Sequence, residues 1–86
     1  MIIKISSKFE KNYSRLPEKI KKKAKKKEFI FRNNPFDIRL RMHKLSGIEK
    51  NCWAFWIDNC YRIKFIFLSK GEVLFLAVGT HDIYKK

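Results

Sequence analysis

Residues that bind metals or form disulfides are scarce in this chain. Its 86 residues include only two cysteines and two histidines. Cys52 and Cys60 lack the CxxC spacing of common zinc modules, and a four-ligand site would need both histidines as well, at spacings that fit no familiar module. We therefore expect no metal, no cofactor and no disulfide framework, but two reduced and partly buried thiols, as in a cytoplasmic protein.

Long apolar stretches are also lacking. No apolar run approaches the roughly 20 residues that a membrane-spanning helix needs. Residues 1–6 contain neither a long apolar segment nor a small-residue cleavage site, so the start of the chain does not predict a secretory signal. The sequence thus predicts no transmembrane segment, in keeping with a cytoplasmic location.

Acidic side chains are few. Eight Asp and Glu against 21 Lys and Arg give a formal net charge of +13. Residues 1–50 hold 16 basic and five acidic side chains (net +11), whereas residues 51–86 hold five and three (net +2). Because excess positive charge repels itself, a polyanionic partner is indicated: nucleic acid first, an acidic protein second and an anionic membrane surface third. An aromatic content of 15% excludes a disordered basic tail.

The first part of the chain predicts a strand followed by two helices. Residues 2–5 are rich in isoleucine, which favours a short opening strand. Ser6 or Ser7 can cap a first helix over residues 7–15. Pro17 suits the first turn of a second helix, so the two helices form a hairpin.

The second helix is predicted to end at the Asn-Asn-Pro sequence of residues 33–35. One of its faces is apolar at helical spacing and should pack on the core. This stripe consists of Ile20, Ala24, Phe31 and the methylene stem of Lys27, broadened by Phe29 and Ile30.

The second part of the chain predicts an antiparallel sheet. Three strong strands are expected at residues 53–57, 61–68 and 73–78, and weak alternation over residues 39–45 adds a short one. In the strand over 61–68, period-two alternation separates a face of Arg62, Lys64, Ile66 and Leu68 from a face of Tyr61, Ile63, Phe65 and Phe67. The predicted fold class is α+β: a single domain, residues 1–86, in which an N-terminal strand and a helical hairpin pack on a sheet of about four strands.

A run of lysines is the strongest charge signal. Between residues 19 and 27 only Ile20 and Ala24 are not lysine, and these two face the core, so the lysines occupy the rest of the helix circumference. A solvated helix face is the ordinary interpretation of such a run, but like charges four residues apart destabilise a helix. We therefore favour binding to a phosphate backbone, without sequence selection. The candidate RNA-binding residues are Lys19, Lys21, Lys22, Lys23, Lys25, Lys26 and Lys27.

The candidate catalytic residues lie mainly in the second half. His81, Asp82 and Tyr84 follow the glycine that ends the last strand, and strand ends hold side chains that are both fixed and accessible. Histidine exchanges protons near neutral pH. Arg62 lies within an apolar strand and needs a partner, either a carboxylate such as that of Asp58 or Asp82 or a phosphate gripped by two hydrogen bonds. His43, on the short strand, fits a structural or a catalytic role.

Several short motifs occur in a characteristic order. They are Phe9, Tyr13 and Leu16-Pro17, then Asn34-Pro35, then residues 43–47 (HKLSG), 53–55 (WAF), 61–63 (YRI) and 78–84 (VGTHDIY). This ordered set resembles the RelE/ParE superfamily of toxins from type II toxin–antitoxin systems, closest to the YafQ/RelE-like branch. The resemblance covers the chain essentially from end to end, and it implies the same α+β fold.

The resemblance further implies a ribosome-dependent mRNA endoribonuclease that inhibits translation. In such enzymes the RNA 2′-hydroxyl attacks the adjacent phosphate and leaves a 2′,3′-cyclic phosphate and a 5′-hydroxyl, without a metal. The reaction needs a base, an acid and a cation for the phosphorane. The implied partners are a cognate antitoxin, the ribosome and mRNA, with no membrane.

The motifs also imply roles for individual residues. His81 resembles the C-terminal histidine of this branch, His43 resembles a second active-site histidine, and Arg62 resembles the arginine that contacts the scissile phosphate. Tyr84 or Asp82 would assist. Some YafQ-like members carry a further histidine and an aspartate at places that align near Trp56 and Cys60, so the acid and base here would come from the two histidines.

Two other functions stay open on the sequence. Members of the ParE branch inhibit DNA gyrase and lack a nuclease site, so a shared fold leaves the activity undecided. A catalytically degenerate member would only bind an antitoxin, for which Phe36 or Trp56 would serve as an anchor unless either belongs to the core.

Overall fold

The computed structural model describes residues 1–84, without the side chain of Ile48. Two helices pack on one face of a five-stranded sheet, and none of the helices in this part of the chain is long and apolar enough to cross a membrane. The elements are β1 (Ile2–Ile5), α1 (Ser7–Ser14), α2 (Glu18–Asn33), β2 (His43–Lys44), β3 (Trp53–Trp56), β4 (Arg62–Ser69) and β5 (Glu72–Gly79). Three short 3₁₀ segments complete them: Ile38–Leu40, Gly47–Glu49, here named the β2–β3 turn, and His81–Tyr84, named the C-terminal turn.

The strand order is β1-β5-β4-β3-β2. Strands β2 to β5 pair antiparallel, which confirms the predicted four-stranded part of the sheet. The prediction did not include β1 in the sheet, yet β1 pairs parallel with β5, with Ile2 opposite Glu72 and Ile5 opposite Phe75. Without β1, the backbone groups along that edge of β5 would be unpaired, which is the usual reason for covering a sheet edge.

The helix boundaries follow their capping residues. Ser6, one of the two predicted caps, accepts a hydrogen bond on Oγ from the Phe9 N–H at 3.0 Å at the start of α1. Pro17 precedes α2, where its fixed φ and missing N–H fit the helix start. The helix ends at Asn33, as the Asn-Asn-Pro sequence predicts.

The core lies between α2 and the sheet. Ile20, Ala24 and Phe31 are buried, which confirms the predicted stripe. The Phe31 ring is completely buried, and its centroid lies 4.9 Å from the Phe55 ring and 5.1 Å from the Phe65 ring. Burial of one such side chain stabilises the fold by about 1.5–3 kcal/mol.

One residue of the predicted stripe is exposed instead. Phe29 leaves 69% of its surface in solvent, so the prediction that it broadens the core face was wrong. It lies two positions before Phe31, which is about 200° around a helix and therefore on the other side. Ile30, one position on, does pack against the core.

Strand β4 alternates as predicted. Ile63 and Phe65 are buried against the helices, whereas Arg62 and Lys64 point to the opposite side. We call this opposite side the open face of the sheet, because α1 and α2 both pack on the other face. A register shift follows Lys64, where the pairing skips Leu76.

The short strand predicted over residues 39–45 is only two residues long. Asp37 accepts a hydrogen bond on Oδ1 from the Arg39 N–H at 2.9 Å and so starts a 3₁₀ segment there. Arg41 then adopts a left-handed conformation, with φ of 50°, which no strand continues through. Pairing begins only at His43.

Both cysteines are free thiols. Cys52 is half-buried, and burial is the main cause that raises the pKa of its thiol, so this group is neutral at physiological pH. Cys60 is exposed, so the predicted partial burial holds for Cys52 alone.

Candidate active site

The open face aligns two of the predicted site residues, His43 and Arg62, in neighbouring rows across the sheet. In one row His43 pairs with Ala54 and Ala54 pairs with Lys64. In the next row Trp56 pairs with Arg62. Paired residues on adjacent strands point to the same side, so the two rows lie side by side on one face.

The row of Trp56 and Arg62 continues onto β5, where Arg62 pairs with Gly79. The C-terminal turn begins two residues later and folds back over the sheet. A Cβ on Gly79 would lie 3.0 Å from Cγ2 of Ile83, so the turn approaches the strand too closely for any other residue without a shift. This glycine thereby lets His81 and Tyr84 reach the open face.

The Tyr84 ring lies between the two histidines. Its centroid is 5.1 Å from that of His81 and 6.1 Å from that of His43, both edge to face. Residues nearly 40 positions apart in the chain are therefore brought together at one point of the open face. Asp82, on the same turn, is exposed.

The Tyr84 hydroxyl is buried and has no hydrogen-bond partner within residues 1–84. Burial raises the pKa of this phenol, against the opposing effect of the nearby Arg62 guanidinium. Arg62 acts on it by charge and does not hold it in a hydrogen bond of good geometry. The phenol is therefore neutral at physiological pH and has an O–H to donate.

The backbone around Arg41 orients His43. Nδ1 of His43 lies 3.2 Å from the carbonyl oxygen of Arg41. A carbonyl only accepts hydrogen bonds, so in the neutral ring the proton is on Nδ1 and the lone pair is on Nε2. The exposed ring of His43 thus has Nε2 available to accept a proton.

Arg62 is half-buried and held by backbone oxygens. Nη1 donates to the carbonyl of Asp58 at 2.7 Å and to that of Tyr61 at 3.2 Å. Of the partners that the sequence suggested, the Asp58 carboxylate is engaged elsewhere: it accepts from Lys23 and from the backbone N–H groups of Cys60 and Tyr61.

Trp56 supports two guanidinium groups. Its ring centroid lies 3.9 Å from Cζ of Arg62 and 4.7 Å from Cζ of Arg41. Such cation–π contacts fix the cations in place. Trp56 offers neither an acid nor a base, and it holds positive charge at the site.

The sequence interpretation missed two groups at this site. Arg41 is exposed and lies outside the lysine run, so the sequence gives no signal for it before its ring partner is known. Lys64 is buried, with 8% of its surface exposed, and pairs with Glu49 at 2.5 Å. Its position on the same face as Arg62 was predicted, but not its burial.

The lysine run lies on α2, on the side of the sheet opposite the open face. Lys23 pairs with Asp58 at 3.5 Å, and Lys27 donates to the carbonyl oxygen of Arg39 at 3.2 Å. Five of the seven side chains are exposed and two are partly exposed. Three members of the run, Lys23, Lys26 and Lys27, border residues 57–60, the turn between β3 and β4.

Two adjoining surface cavities connect these lysines with the site. One, of about 500 Å³, is bounded by Lys23, Lys26, Lys27 and residues 57–60. The other, of about 690 Å³, shares Lys27 and extends to Arg41. Because Arg41 contacts Trp56, basic groups continue from α2 to Arg62.

Solved structures of similar shape identify this fold. YafQ from E. coli strain BL21(DE3) superposes with a TM-score of 0.79 over 98% of this chain and 97% of its own, at 19% identity. A YoeB/ParE toxin from Agrobacterium tumefaciens gives 0.80 over 94% and 99%, at 15% identity. The chain has the RelE/ParE toxin fold. The predicted resemblance is thus confirmed at the level of the fold.

The RelE/ParE fold has also been solved with a second protein bound. The E. coli DinJ–YafQ toxin–antitoxin complex matches with a TM-score of 0.76 over 98% of this chain and 96% of the other, at 19% identity. No protein-family model and no curated protein sequence matches the chain. In this version of the RelE/ParE fold, the open face carries His43, Arg62, His81 and Tyr84.

Proposed function

We propose that this protein is the toxin of a type II toxin–antitoxin system and that it cleaves mRNA on the ribosome. One observation carries the proposal: His43 and His81 both contact the ring of Tyr84, whose hydroxyl lies close to Arg62. Two imidazoles and a guanidinium at one point can supply the base, the acid and the cation that RNA transesterification requires.

His43 is the proposed base. Its Nε2 lone pair accepts the proton of the RNA 2′-hydroxyl as the 2′-oxygen attacks the adjacent phosphorus. The hydrogen bond to the Arg41 carbonyl fixes the tautomer and the ring orientation.

His81 is the proposed acid. As the bond between phosphorus and the 5′-oxygen breaks, a charged His81 gives its proton to that oxygen, and the products are a 2′,3′-cyclic phosphate and a 5′-hydroxyl. The transferred protons balance, since one imidazole gains a proton and the other loses one.

Arg62 stabilises the pentacoordinate intermediate, and Tyr84 supports the catalytic groups around it. The guanidinium offers two parallel N–H groups to the phosphate oxygens, and its position is fixed before the substrate binds. The Tyr84 hydroxyl is buried and does not face the phosphate, but the Tyr84 ring packs against both imidazoles and supports them. Asp82, the remaining candidate, lies on the surface of the same turn and would act on His81 rather than on the phosphate.

The lysines of α2 supply affinity in this proposal. They bind phosphates of ribosomal RNA and mRNA without reading bases, and the ribosome and mRNA are the partners in the cytoplasm. A cognate antitoxin is the third partner. This part of the proposal is supported by the likeness to YafQ, which was solved in complex with DinJ.

The test is a cleavage assay with purified protein, ribosomes and a defined mRNA. We expect cuts within the ribosome-bound codon, lost in His81→Ala and retained in Lys70→Ala, a change of an exposed lysine on the β4–β5 turn. Intact mRNA at one toxin per ribosome would contradict the proposal.

The same samples separate the alternatives. If the protein inhibited gyrase but did not cleave mRNA, and His81→Ala left the inhibition unchanged, the protein would be a ParE-like inhibitor. Binding to an antitoxin with neither activity, and no growth arrest on induction, would identify a degenerate member.

A further inference from the structure

Lys64 is a charged side chain inside the protein. Only 8% of its surface is exposed, although lysine is almost never buried without a partner. It lies on the open face in the same row as His43, two residues after Arg62. The proposed chemistry gives it no role.

The Lys64 ammonium group joins two other segments of the chain. Nζ contacts Oε1 of Glu49 at 2.5 Å and donates to the carbonyl oxygen of Ile83 at 2.9 Å. Glu49 ends the β2–β3 turn, and Ile83 lies in the C-terminal turn. Three segments distant in sequence are therefore tied at one nitrogen.

Each of these segments carries or adjoins a candidate catalytic group. Strand β4, which holds Lys64, also holds Arg62. The C-terminal turn holds His81 and Tyr84, and the β2–β3 turn follows the strand that begins at His43. A shift of the C-terminal turn would move two of the four groups relative to the other two.

We infer that Lys64 and Glu49 form a buried clamp that positions the C-terminal turn over the open face, so that Lys64 is a positioning residue for the active site. For its effect on catalysis this inference rests on the proposed function. Its structural part, the fixing of residues 81–84, does not. The carbonyl of Ile83 is a natural point of attachment, because a single turn of 3₁₀ helix leaves its last carbonyls without intrahelical partners.

The clamp requires a test that separates positioning from stability. Removing one partner of a buried ion pair leaves an uncompensated charge and destabilises a protein, whereas replacing both by apolar residues is often neutral. The informative variant is therefore the double replacement Lys64→Met with Glu49→Met. The matched control is Lys70→Met with Glu72→Met, which removes one charge of each sign from Lys70 on the β4–β5 turn and from Glu72 at the start of β5, where Glu72 makes only a surface ion pair with Lys4.

Hydrogen exchange reports the position of the turn without any substrate. In Lys64→Met/Glu49→Met we expect the backbone amides of residues 80–84 to exchange about tenfold faster or more, while the amides of α2 keep their protection. The control pair should leave both regions as in the wild type. Unchanged exchange at residues 80–84 would overturn the clamp.

Kinetics report the consequence for catalysis. In the double variant we expect kcat for mRNA cleavage to fall about tenfold to 100-fold with KM within about threefold of the wild type, because misplaced groups act in the transition state while the lysines still bind RNA. Faster exchange with an unchanged kcat would overturn the positioning role. A wild type that cleaves no mRNA refutes the proposed function only, since the exchange experiment still decides the clamp.

A measurement on the wild type covers the case in which the double variant does not fold. The buried ammonium hydrogens of Lys64 should give a slowly exchanging NMR signal with cross-peaks to Glu49 and Ile83. A Lys64 ammonium group that exchanges as fast as that of Lys70 would refute the clamp.

Discussion

The guanidinium carbon of Arg62 lies 3.9 Å from the centre of the Trp56 ring. At the same time, Nη1 of this guanidinium donates to the carbonyl oxygen of Asp58 at 2.7 Å. The Trp56 ring fixes the plane of the guanidinium, and the Asp58 carbonyl fixes the position of Nη1. The N–H groups on Nε and Nη2 then remain to bind a phosphate. This is preorganisation, because the cation needs no rearrangement when negative charge develops next to it.

This arrangement predicts that Arg62→Lys loses cleavage. An ammonium group neither stacks as a plane on Trp56 nor offers two parallel donors, so we expect the single-turnover rate to fall about 100-fold or more. Trp56→Ala keeps the guanidinium of Arg62 but removes the ring that holds it in place. We expect the single-turnover rate of this variant to fall about tenfold. Arg15→Lys, an exposed change at the end of α1, is the control. Equal rates for Arg62→Lys and Arg15→Lys would contradict the role of Arg62.

The two histidines predict distinct changes in the pH dependence of cleavage. A base must be neutral and an acid must be charged, so the wild-type rate should rise and then fall with pH. His43→Ala should remove the rise on the acidic side, His81→Ala should remove the fall on the alkaline side, and each should lower the maximal rate about 10²–10⁴-fold. If His43→Ala instead removed the alkaline fall and His81→Ala the acidic rise, the two histidines would have the opposite roles. If both variants kept the rise and the fall of the rate with pH, neither histidine would be the acid or the base.

The position of the lysines predicts that they contribute unequally to RNA binding. Lys23, Lys26 and Lys27 adjoin the cavities that lead to Arg41, so changing all three to Gln should reduce the salt dependence of binding to single-stranded RNA by about two logarithmic units per unit of log salt. The measurement is fluorescence anisotropy over a series of salt concentrations.

The matched control for this lysine experiment is on the same helix. Changing Lys19, Lys22 and Lys25 to Gln removes the same charge, and Lys25 lies on the β1 side of α2, away from Arg41. We expect a reduction in salt dependence of less than about one unit. Equal reductions in both triple variants would indicate that the overall charge, and not the path to the site, determines binding.

Asp58 predicts a pH-dependent contribution to stability. Burial by itself would raise the pKa of this carboxyl, but hydrogen bonds from the N–H groups of Cys60 and Tyr61 and the contact with Lys23 outweigh it, and the pKa is lowered. A group whose pKa is lower in the folded state stabilises the fold above its unfolded pKa and loses this contribution as the pH falls through the folded value.

The corresponding experiment is denaturant unfolding of Asp58→Ala from pH 7 to pH 2. We expect the free energy of unfolding to fall by about 1–2 kcal/mol at pH 7, because two backbone N–H groups lose their acceptor. The difference from the wild type should shrink below about pH 4, where the carboxyl becomes protonated. Glu10→Ala, an exposed change on α1, should have little effect at any pH. A constant difference for Asp58→Ala down to pH 2 would contradict the assignment.

The parts of the fold that the sequence predicted are those governed by local periodicity. The stripe of Ile20, Ala24 and Phe31 and the alternation of β4 follow from one side of an element facing the core. Phe29 shows the limit of this reasoning, because an apolar residue next to a stripe is not therefore part of it. The parallel pairing of β1 depends on the edge of β5, which no local pattern reveals.

The candidate site was predicted as a set of residues but not as an arrangement. The side-chain types of His43, Arg62 and His81 and their motifs indicated chemistry, yet their meeting at Tyr84 depends on how the C-terminal turn folds back. Lys64 was predicted to lie on the correct face, and its burial followed only from Glu49, 15 residues earlier in the chain. Pairings of this range are set by tertiary structure.

The pairing of β1 with β5 also determines when the sheet is completed during synthesis. Ile2 and its partner Glu72 are 70 positions apart, so β1 leaves the ribosome long before the strand that it pairs with. The sheet therefore closes only after β5 has been translated, and the turn with His81 and Tyr84 follows directly. A chain interrupted before β5 lacks both the full sheet and the proposed acid, so on the proposed function we expect such a truncated product to be inactive.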